Sequence, residues 1–368
     1  MKIAIVRGQT RSPQTNKLAK TLAQSGHDVK LLVWERERKY QSIEKNELYT
    51  LYRFHLKAPY DRLIVLFYLP IWWLYQLYFL LKNDLDVIHA CDLDTLLPAV
   101  LAKLIKRTKL CYTIFDFYAD ILPAVSTLIP HFIITAIASL ERFLIRFTDV
   151  LFLVNEAQHE EIKGSKINKV ACIYNSPPDY LSTKPVPKSA SGVSIFYAGG
   201  IHQTRGLEYM ITAVENLDNA QLVIAGLSSG KRAYHPKFTD SDKICCIGRI
   251  PYEEVIERSV NADILFAFYD PEIPNNRYAS PNKLFEAMMC AKPLIISDGS
   301  WASGIVKKEN CGIVVPYGDV SAIKEAIFRL KNNPELRRKL GENGRRAYES
   351  RYSWEIMKER LIHAYSQL

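Results

Sequence analysis

The sequence predicts an α/β protein of two doubly wound domains, each a mostly parallel sheet covered by helices. Three observations predict it. Short, continuous apolar runs with strand character alternate with segments of helical period along nearly the whole chain, as expected for parallel strands buried on both faces. At 368 residues the chain exceeds what one core usually organises, and two domains of roughly 180 residues are the natural division. Residues 176–192 (S-P-P-D-Y-L-S-T-K-P-V-P-K-S-A-S-G) are rich in Pro and Ser and lack periodicity, which marks a linker. The expected domains are 1–180 and 193–350, with a helix over 353–368 packing back on the first.

In the first domain, runs at 3–6, 29–34, 48–54, 87–90, 110–115, 150–154 and 170–174 have strand length and composition. Helical period fills 16–24 and 93–106. In the second, strands are expected at 194–198, 221–225, 243–247, 264–268, 294–297 and 312–315, with helices at 207–216 and 252–261. Helices over 319–331, 334–349 and 353–367 close the chain. Trp354, Met357, Leu361 and Tyr365 form an apolar stripe suited to docking the last of them. In such sheets ligands gather outside the strand C-termini, so a cleft faced by the strand ends of both halves is expected to hold the site.

A net charge of +9 suits anionic partners such as phosphates or an acidic membrane surface. Nucleic acid fits less well, because the basic residues are dispersed or attached to apolar helices. The seven cysteines are scattered, with no C-x-x-C pair, which supports neither a zinc site nor a disulfide framework. The N-terminus reads as a short strand without a signal-peptide core. A cytoplasmic setting follows as an expectation.

Residues 63–81 (L-I-V-L-F-Y-L-P-I-W-W-L-Y-Q-L-Y-F-L-L) carry no charge. By length they could span a bilayer, but a span would separate strands that belong to one sheet. The aromatics suit a membrane interface, and Arg53, Lys57, Arg62 and Lys82 flank the run. A second apolar stretch, 121–147, carries Arg142 and Arg146. The favoured reading is a monotopic, anionic-membrane surface on the first domain, peripheral on the cytoplasmic face. The competing reading is a pair of core helices or a dimer interface.

The densest motif is 280–293, S-P-N-K-L-F-E-A-M-M-C-A-K-P. Pro281 suits the first turn of a helix, with Ser280 as its N-cap. Asn282 and Lys283 then stand at a helix N-terminus, where free N–H groups and the dipole favour an anion. Glu286 lies one turn on. Gly199 and Gly200 follow the strand at 194–198, and Arg205 and Gly206 precede the next helix. Alone that is a plain β–α turn; with Lys283 it brings two cations from two helix starts, as a diphosphate needs. Gly248, Arg249 and Ile250 end another strand, and Gly304 follows the strand at 294–297.

In the first domain His89, Asp92 and Asp94 close one strand and open a helix. Asp92-Leu93-Asp94 has the form of a metal-binding D-x-D, but helix capping and lining of the cleft are the better reading, and no metal is assigned. His89 is either a core histidine or a functional group near the cleft. Asp116 ends the next strand, and the loop after the first strand offers Arg11 and Ser12 to an anion.

These motifs together resemble the retaining glycosyltransferases of the GT-B fold, family 4. The resemblance implies two Rossmann-like domains facing a central cleft, with the last helix crossing back to the first. It places the donor on Gly199, Gly200, Arg205, Gly248, Arg249, Ile250, Asn282, Lys283, Glu286 and Gly304. Arg11, His89, Asp92, Asp94 and Asp116 fall on the acceptor side, and Asp116, Arg205 and Lys283 are the catalytic candidates. The family often shows two glutamates seven residues apart; Glu286 matches the second, and Tyr278 stands where the first would be. Many relatives carry His before the acid at the 110–115 strand end; here that position is Phe115. The implied partners are a nucleotide-diphosphate sugar as co-substrate and a glycan or lipid-linked acceptor, with no further cofactor.

The expected reaction is sugar transfer to an acceptor hydroxyl, its main task being to stabilise charge on the leaving diphosphate. Two rivals are a catalytically weak glycan- or lipid-binding scaffold and a dinucleotide-dependent enzyme. The second lacks any G-x-G-x-x-G after a strand.

Overall fold

The computed structural model describes residues 1–10, 12–59, 63–125, 129–181, 192–227 and 242–368. Arg11, Arg62 and most of the expected linker lie outside the described residues. The chain divides into two compact units, Met1–Tyr174 with Lys358–Leu368, and Asn175–Met357. The division precedes the expected linker because its first residues bond within the second unit. Tyr348 Oη donates to Pro177 O (2.9 Å), and Arg345 pairs with Asp179 (2.5 Å).

The first unit is an eight-stranded sheet in the order β3-β4-β2-β1-β5-β6-β7-β8. Its strands are β1 (Lys2–Arg7), β2 (Asp28–Glu35), β3 (Ile43–Lys45), β4 (Thr50–His55), β5 (Val87–Cys91), β6 (Lys109–Ile114), β7 (Val150–Leu153) and β8 (Val170–Cys172). All pairings are parallel except β3 with β4. That short, exposed edge hairpin went unseen in the sequence, where Ile43-Glu44-Lys45 has no apolar run. The helices are α1 (Pro13–Gln24), α2 (Leu69–Lys82), α3 (Leu93–Lys106), α4 (Tyr118–Val125) and α5 (His131–Ile145). Ser12 caps α1, its Oγ accepting from Thr15 N, and Pro13 opens the helix.

The uncharged run at 63–81 is broken into a 3₁₀ turn (Leu63–Phe67) and α2. Pro70 sits in the first turn of α2, where its missing N–H leaves no bond unmade. Trp72, Phe79 and Leu80 of α2 enter a core shared with α3, α5 and one sheet face. The opposite face of the sheet packs on α1 and on Leu361, Ala364 and Tyr365 near the chain's end. Among the described residues no helix is long and apolar enough to cross a membrane.

The second unit is a six-stranded, all-parallel sheet, β11-β10-β9-β12-β13-β14. The strands are β9 (Val193–Ala198), β10 (Ala220–Ala225), β11 (Ile244–Gly248), β12 (Ile264–Ala267), β13 (Leu294–Ser297) and β14 (Gly312–Val315). The helices are α6 (Leu207–Glu215), α7 (Tyr252–Asn261), α8 (Pro274–Tyr278), α9 (Asn282–Met289), α10 (Trp301–Glu309), α11 (Val320–Asn332), α12 (Pro334–Ala347) and α13 (Trp354–Ser366), the last ending in the first unit. Each unit is thus Rossmann-like, as the alternating pattern predicts.

Candidate active site

Three neighbouring strands of the second unit run into glycine. Gly199 and Gly226 follow β9 and β10, and Gly248 ends β11. Gly199 N donates to Ala225 O (2.9 Å) and Gly226 N to Gly248 O (2.7 Å), so the ladder continues through them. A Cβ on Gly226 would fall 1.9 Å from Gly199 O. Gly199 itself has φ +155°, and a Cβ there would stand 2.7 Å from Lys283 Nζ. At Gly226 the neighbouring backbone leaves no room for a side chain, and the positive φ of Gly199 and Gly248 favours glycine there.

Lys283 lies in the first turn of α9 and reaches across that rim. Its Nζ rests 4.7 Å from the centroid of the Tyr197 ring. Tyr197 Oη donates to Gly200 O (2.9 Å), so one side chain braces the glycine turn and seats the cation. Burial pulls the Lys283 ammonium down, but Tyr197, Tyr269 and Glu286 outweigh it and leave the group above its ordinary value. It is charged at neutral pH.

Arg205 reaches the same neighbourhood from the turn before α6 and opposes the Lys283 charge. Its guanidinium lies 4.4 Å from the Tyr269 ring centroid, and Nη1 donates to Asn276 Oδ1 (3.4 Å). Ser297, fully buried at the end of β13, accepts from Tyr269 N (2.8 Å) and donates to Tyr269 O (2.9 Å). Gly206 lets the chain turn tightly into α6, with φ +55°, and a Cβ there would stand 3.1 Å from the Tyr209 ring and 3.2 Å from the Tyr317 ring. Among the described residues neither Arg205 nor Lys283 forms an ion pair with a carboxylate. Two cations held close together on tyrosine faces form a ready seat for a multiply charged anion.

Glu286 is buried one turn beyond Lys283, and its Oε1 accepts from Tyr252 Oη (3.0 Å). Tyr252 packs edge-on against Tyr180 (6.0 Å), and burial with the nearby carboxylate pushes its phenol far up. Lys283 and Glu286 line a small cleft with Phe196 and Ala198. Asn282 and Gly199 are half-buried, Gly200 and Arg249 are exposed, and Ile250 is half-buried.

Two expectations need correction here. Pro281, not Ser280, occupies the N-cap of α9; Ser280 is buried with its Oγ unpartnered, its carbonyl accepting from Asn175 Nδ2 (3.0 Å). Gly304 lies exposed in the first turns of α10, not in a loop, because the Ser300–Ser303 capping box starts that helix early. The loop glycine is Gly299, at φ +88°.

In the first unit the acids gather at the ends of β1, β5 and β6. Arg7, at the end of β1, pairs with Asp92 (2.7 Å), both buried. Its guanidinium lies 4.2 Å from the Phe115 ring. Asp92 has φ +64° and does not cap α3 as expected. Its Oδ1 instead accepts from Phe115 N (2.8 Å) and Asp116 N (3.3 Å), fixing the turn that carries Asp116. Burial pushes Asp92 up to about 7, although Arg7 pulls the other way. Asp94 is buried too and accepts from Tyr118 Oη (2.8 Å). A Cβ on Gly8 would fall 1.8 Å from Asp94 Oδ2, so a side chain there would have to displace that carboxylate.

These contacts correct the acceptor-side set. Asp92 and Asp94 are internal struts, while Asp116 remains half-exposed. His89 is fully buried, with Nδ1 at 2.5 Å from Tyr365 Oη and Nε2 at 2.6 Å from Thr113 Oγ1. Burial lowers its pKa to about 3, so it is a neutral core residue. Arg53, expected beside a membrane, is also buried and bonds to Glu44 and to Gln41 O.

The family described as glycosyltransferase family 4 matches residues 14–176, and that described as glycosyl transferases group 1 matches residues 184–347. The two matches run in series over most of the chain. The chain belongs to the family 4 glycosyltransferases of the GT-B fold.

Within that glycosyltransferase family, a GDP-mannose-dependent monoacylated alpha-(1-6)-phosphatidylinositol monomannoside mannosyltransferase of Corynebacterium glutamicum is 31% identical over 150 residues, 39% of this chain and 38% of that protein. The chain spans less than half the length of the first curated relatives it matches. Among solved structures, sucrose-phosphate synthase of Thermosynechococcus elongatus superposes with a TM-score of 0.79 at 18% identity, covering 100% of this chain and 98% of that one. Anabaena HepE in complex with UDP gives 0.74 at 13% identity, covering 100% of both. These likenesses establish the GT-B fold.

Sequence reasoning missed Tyr197, Tyr269, Asn276, Ser297, Tyr252 and Arg7. One signal was available for Tyr197 and Tyr269: each hydroxyl-bearing ring stands at or just beyond a strand end, beside a turn. The others are placed by tertiary contacts alone.

Proposed function

We propose that this protein moves a sugar from a nucleotide-diphosphate sugar to an acceptor hydroxyl of a lipid-linked or membrane-associated glycan, with retention of anomeric configuration. One observation carries the reading: Lys283 and Arg205 lie on tyrosine faces in one neighbourhood, and neither forms an ion pair with a carboxylate among the described residues. A leaving diphosphate supplies the missing charge, and its departure is the step such a site accelerates.

In this reading Gly199 and Gly200 admit the diphosphate to the backbone, and Asn282 lies beside it at the start of α9. Glu286, held by Tyr252, bonds hydroxyls of the donor. Gly248, Arg249 and Ile250 flank the nucleoside, with Gly304 on the far side of the donor. Asp116, half-exposed just beyond β6, is the carboxylate assigned to the acceptor, and Arg11 is assigned to the same role. Side chains and helix starts meet the charge of the leaving group without a metal or further cofactor.

Tyr278 and Phe115 stand where relatives carry an acid and a histidine, so neither supplies the carboxylate a double displacement needs. Front-face transfer, in which the leaving phosphate takes the acceptor proton, fits these residues. The acceptor reading draws support from the Corynebacterium relative, whose name describes a phosphatidylinositol monomannoside substrate. Peripheral attachment to the cytoplasmic face of the membrane accords with such an acceptor.

The test is a panel of nucleotide sugars screened by thermal stabilisation, since a ligand that binds the folded state raises its melting point. The stabilising sugar is then followed into product by anomer-resolved NMR. A stabilising donor that is never consumed supports a binding scaffold instead, and an inverted anomer overturns retention.

A further inference from the structure

We propose that the outer face of α2, α3 and α5 is a docking surface for an anionic lipid bilayer. This deepens the acceptor reading above by naming the surface that holds the enzyme against its substrate.

The three helices cover one face of the first sheet side by side, α2 packed on α3 and α3 on α5. Their inner residues make the core. Their outer residues are also apolar, which a water-facing helix does not need. On α2, Ile71, Leu74 and Tyr78 recur at helical spacing and are 50%, 69% and 58% exposed. On α3, Leu101, Leu104 and Ile105 are exposed, and on α5, Phe132, Ile133, Leu140 and Phe143. The turn before α2 adds Phe67, 82% exposed. Single exposed apolar side chains are ordinary, but a run across three adjoining helices marks an interaction surface. In the sequence α3 read as a plain covering helix; only the packing places its apolar face beside the others.

Charge selects the partner. The acids within these three helices are Asp94 and Glu141, both buried. The exposed cations at the helix ends are Lys82 and Arg107, closing α2 and α3, and Arg146, after α5; the exposed Asp84 beyond Lys82 is paired with Lys2 (2.5 Å). Lys82 lies 5.4 Å from the Tyr78 ring centroid and Arg146 4.8 Å from that of Phe143, apolar body inward and charge at the rim. An apolar centre whose own helices carry no exposed acid among the described residues, rimmed by Lys82, Arg107 and Arg146, matches an anionic bilayer.

The experiment is co-flotation of the full chain with vesicles of phosphatidylcholine alone or mixed with phosphatidylglycerol. Binding is expected to the mixed vesicles and to weaken with salt. The triple variant Leu74→Glu, Ile105→Glu, Phe132→Glu is expected to bind at least about tenfold more weakly while keeping its circular dichroism and melting temperature. Phe328→Glu, at an exposed apolar residue of α11 in the second unit, is expected to bind as the parent does. Absence of flotation at every composition overturns the proposal. So does a dimer in light scattering that the triple variant dissolves, because the face then joins two copies. Failure here stays separable from failure of the proposed reaction. Lys283→Ala is expected to float normally, and the triple variant is expected to turn over donor with a water-soluble acceptor.

Discussion

The Lys283 ammonium stands 4.7 Å above the Tyr197 ring while Tyr197 Oη holds the carbonyl of Gly200. One tyrosine thus fixes both the cation and the backbone turn it overhangs. Charge stabilisation in this site depends on that shared support, and removing the cation separates it from folding. Lys283→Ala is expected to lower kcat/KM for nucleotide release by about 10²–10³-fold, the usual cost of deleting one preorganised charge-stabilising contact. Steady-state kinetics on the stabilising donor checks this, and undiminished turnover removes the role assigned to Lys283.

Gly199 tests the crowding around the same ammonium. Gly199→Ala places a methyl 2.7 Å from Nζ at a φ that side chains avoid. The variant is expected to lose about 1–3 kcal/mol of stability and most of the donor-induced rise in melting temperature. Differential scanning fluorimetry with and without donor measures both. Gly200→Ala is the contrast, because a Cβ there meets nothing within 4 Å.

Tyr252 donates to the Glu286 carboxylate (3.0 Å). Tyr252→Phe removes that bond and keeps the ring against Tyr180. A hydrogen bond to a charged group contributes about 1.5–3 kcal/mol, so donor KM is expected to rise roughly ten- to hundredfold with a smaller change in kcat. An unchanged KM means that Glu286 does not touch the donor.

Arg7 and Asp92 form a buried pair in the first unit. Arg7→Ala leaves a buried carboxylate without its counterion, and such breaks cost about 3–5 kcal/mol. Urea unfolding is expected to show that loss. A difference under about 1 kcal/mol counts against the pair as a structural strut.

Glu141 gives a pH signature. Burial raises its carboxyl to about 8, although Tyr112 Oη donates to it (2.6 Å). The folded state therefore binds a proton there that the unfolded state releases near the ordinary value of 4.5. Stability from this group is present at low pH and is lost as pH rises toward 8. Glu141→Gln removes the titration, so its melting temperature relative to the parent is expected to increase between about pH 5 and pH 8.5. A constant difference across that range refutes the buried-acid account.

Much of the second unit's site could be read in the sequence because glycines and cations at β–α junctions are local signals. Gly199, Arg205 and Lys283 each announce a turn or a helix start. The seats beneath the cations are different. Tyr197 and Tyr269 read as strand-end aromatics, and only the sheet order β9-β12-β13 brings Ser297 to brace Tyr269. The first unit was less legible because its polar residues face inward. His89 lies in an apolar run beside acids, and nothing local reveals that Tyr365, far along the chain, closes over it. Arg53 misled for the same reason: a cation beside an apolar run looks exposed until the edge hairpin supplies Glu44.

Phe115 shows how far such inward contacts constrain exchange. The family resemblance implies a histidine at this position, and the Phe115 ring lies 4.2 Å from the Arg7 guanidinium. A histidine installed there would gain its proton beside a buried positive charge and be driven to its neutral form. Restoring a histidine with ordinary basicity at position 115 therefore takes a second replacement, at Arg7, and with it a new counterion for Asp92. Aromatic ring, guanidinium and carboxylate are exchangeable only as a set.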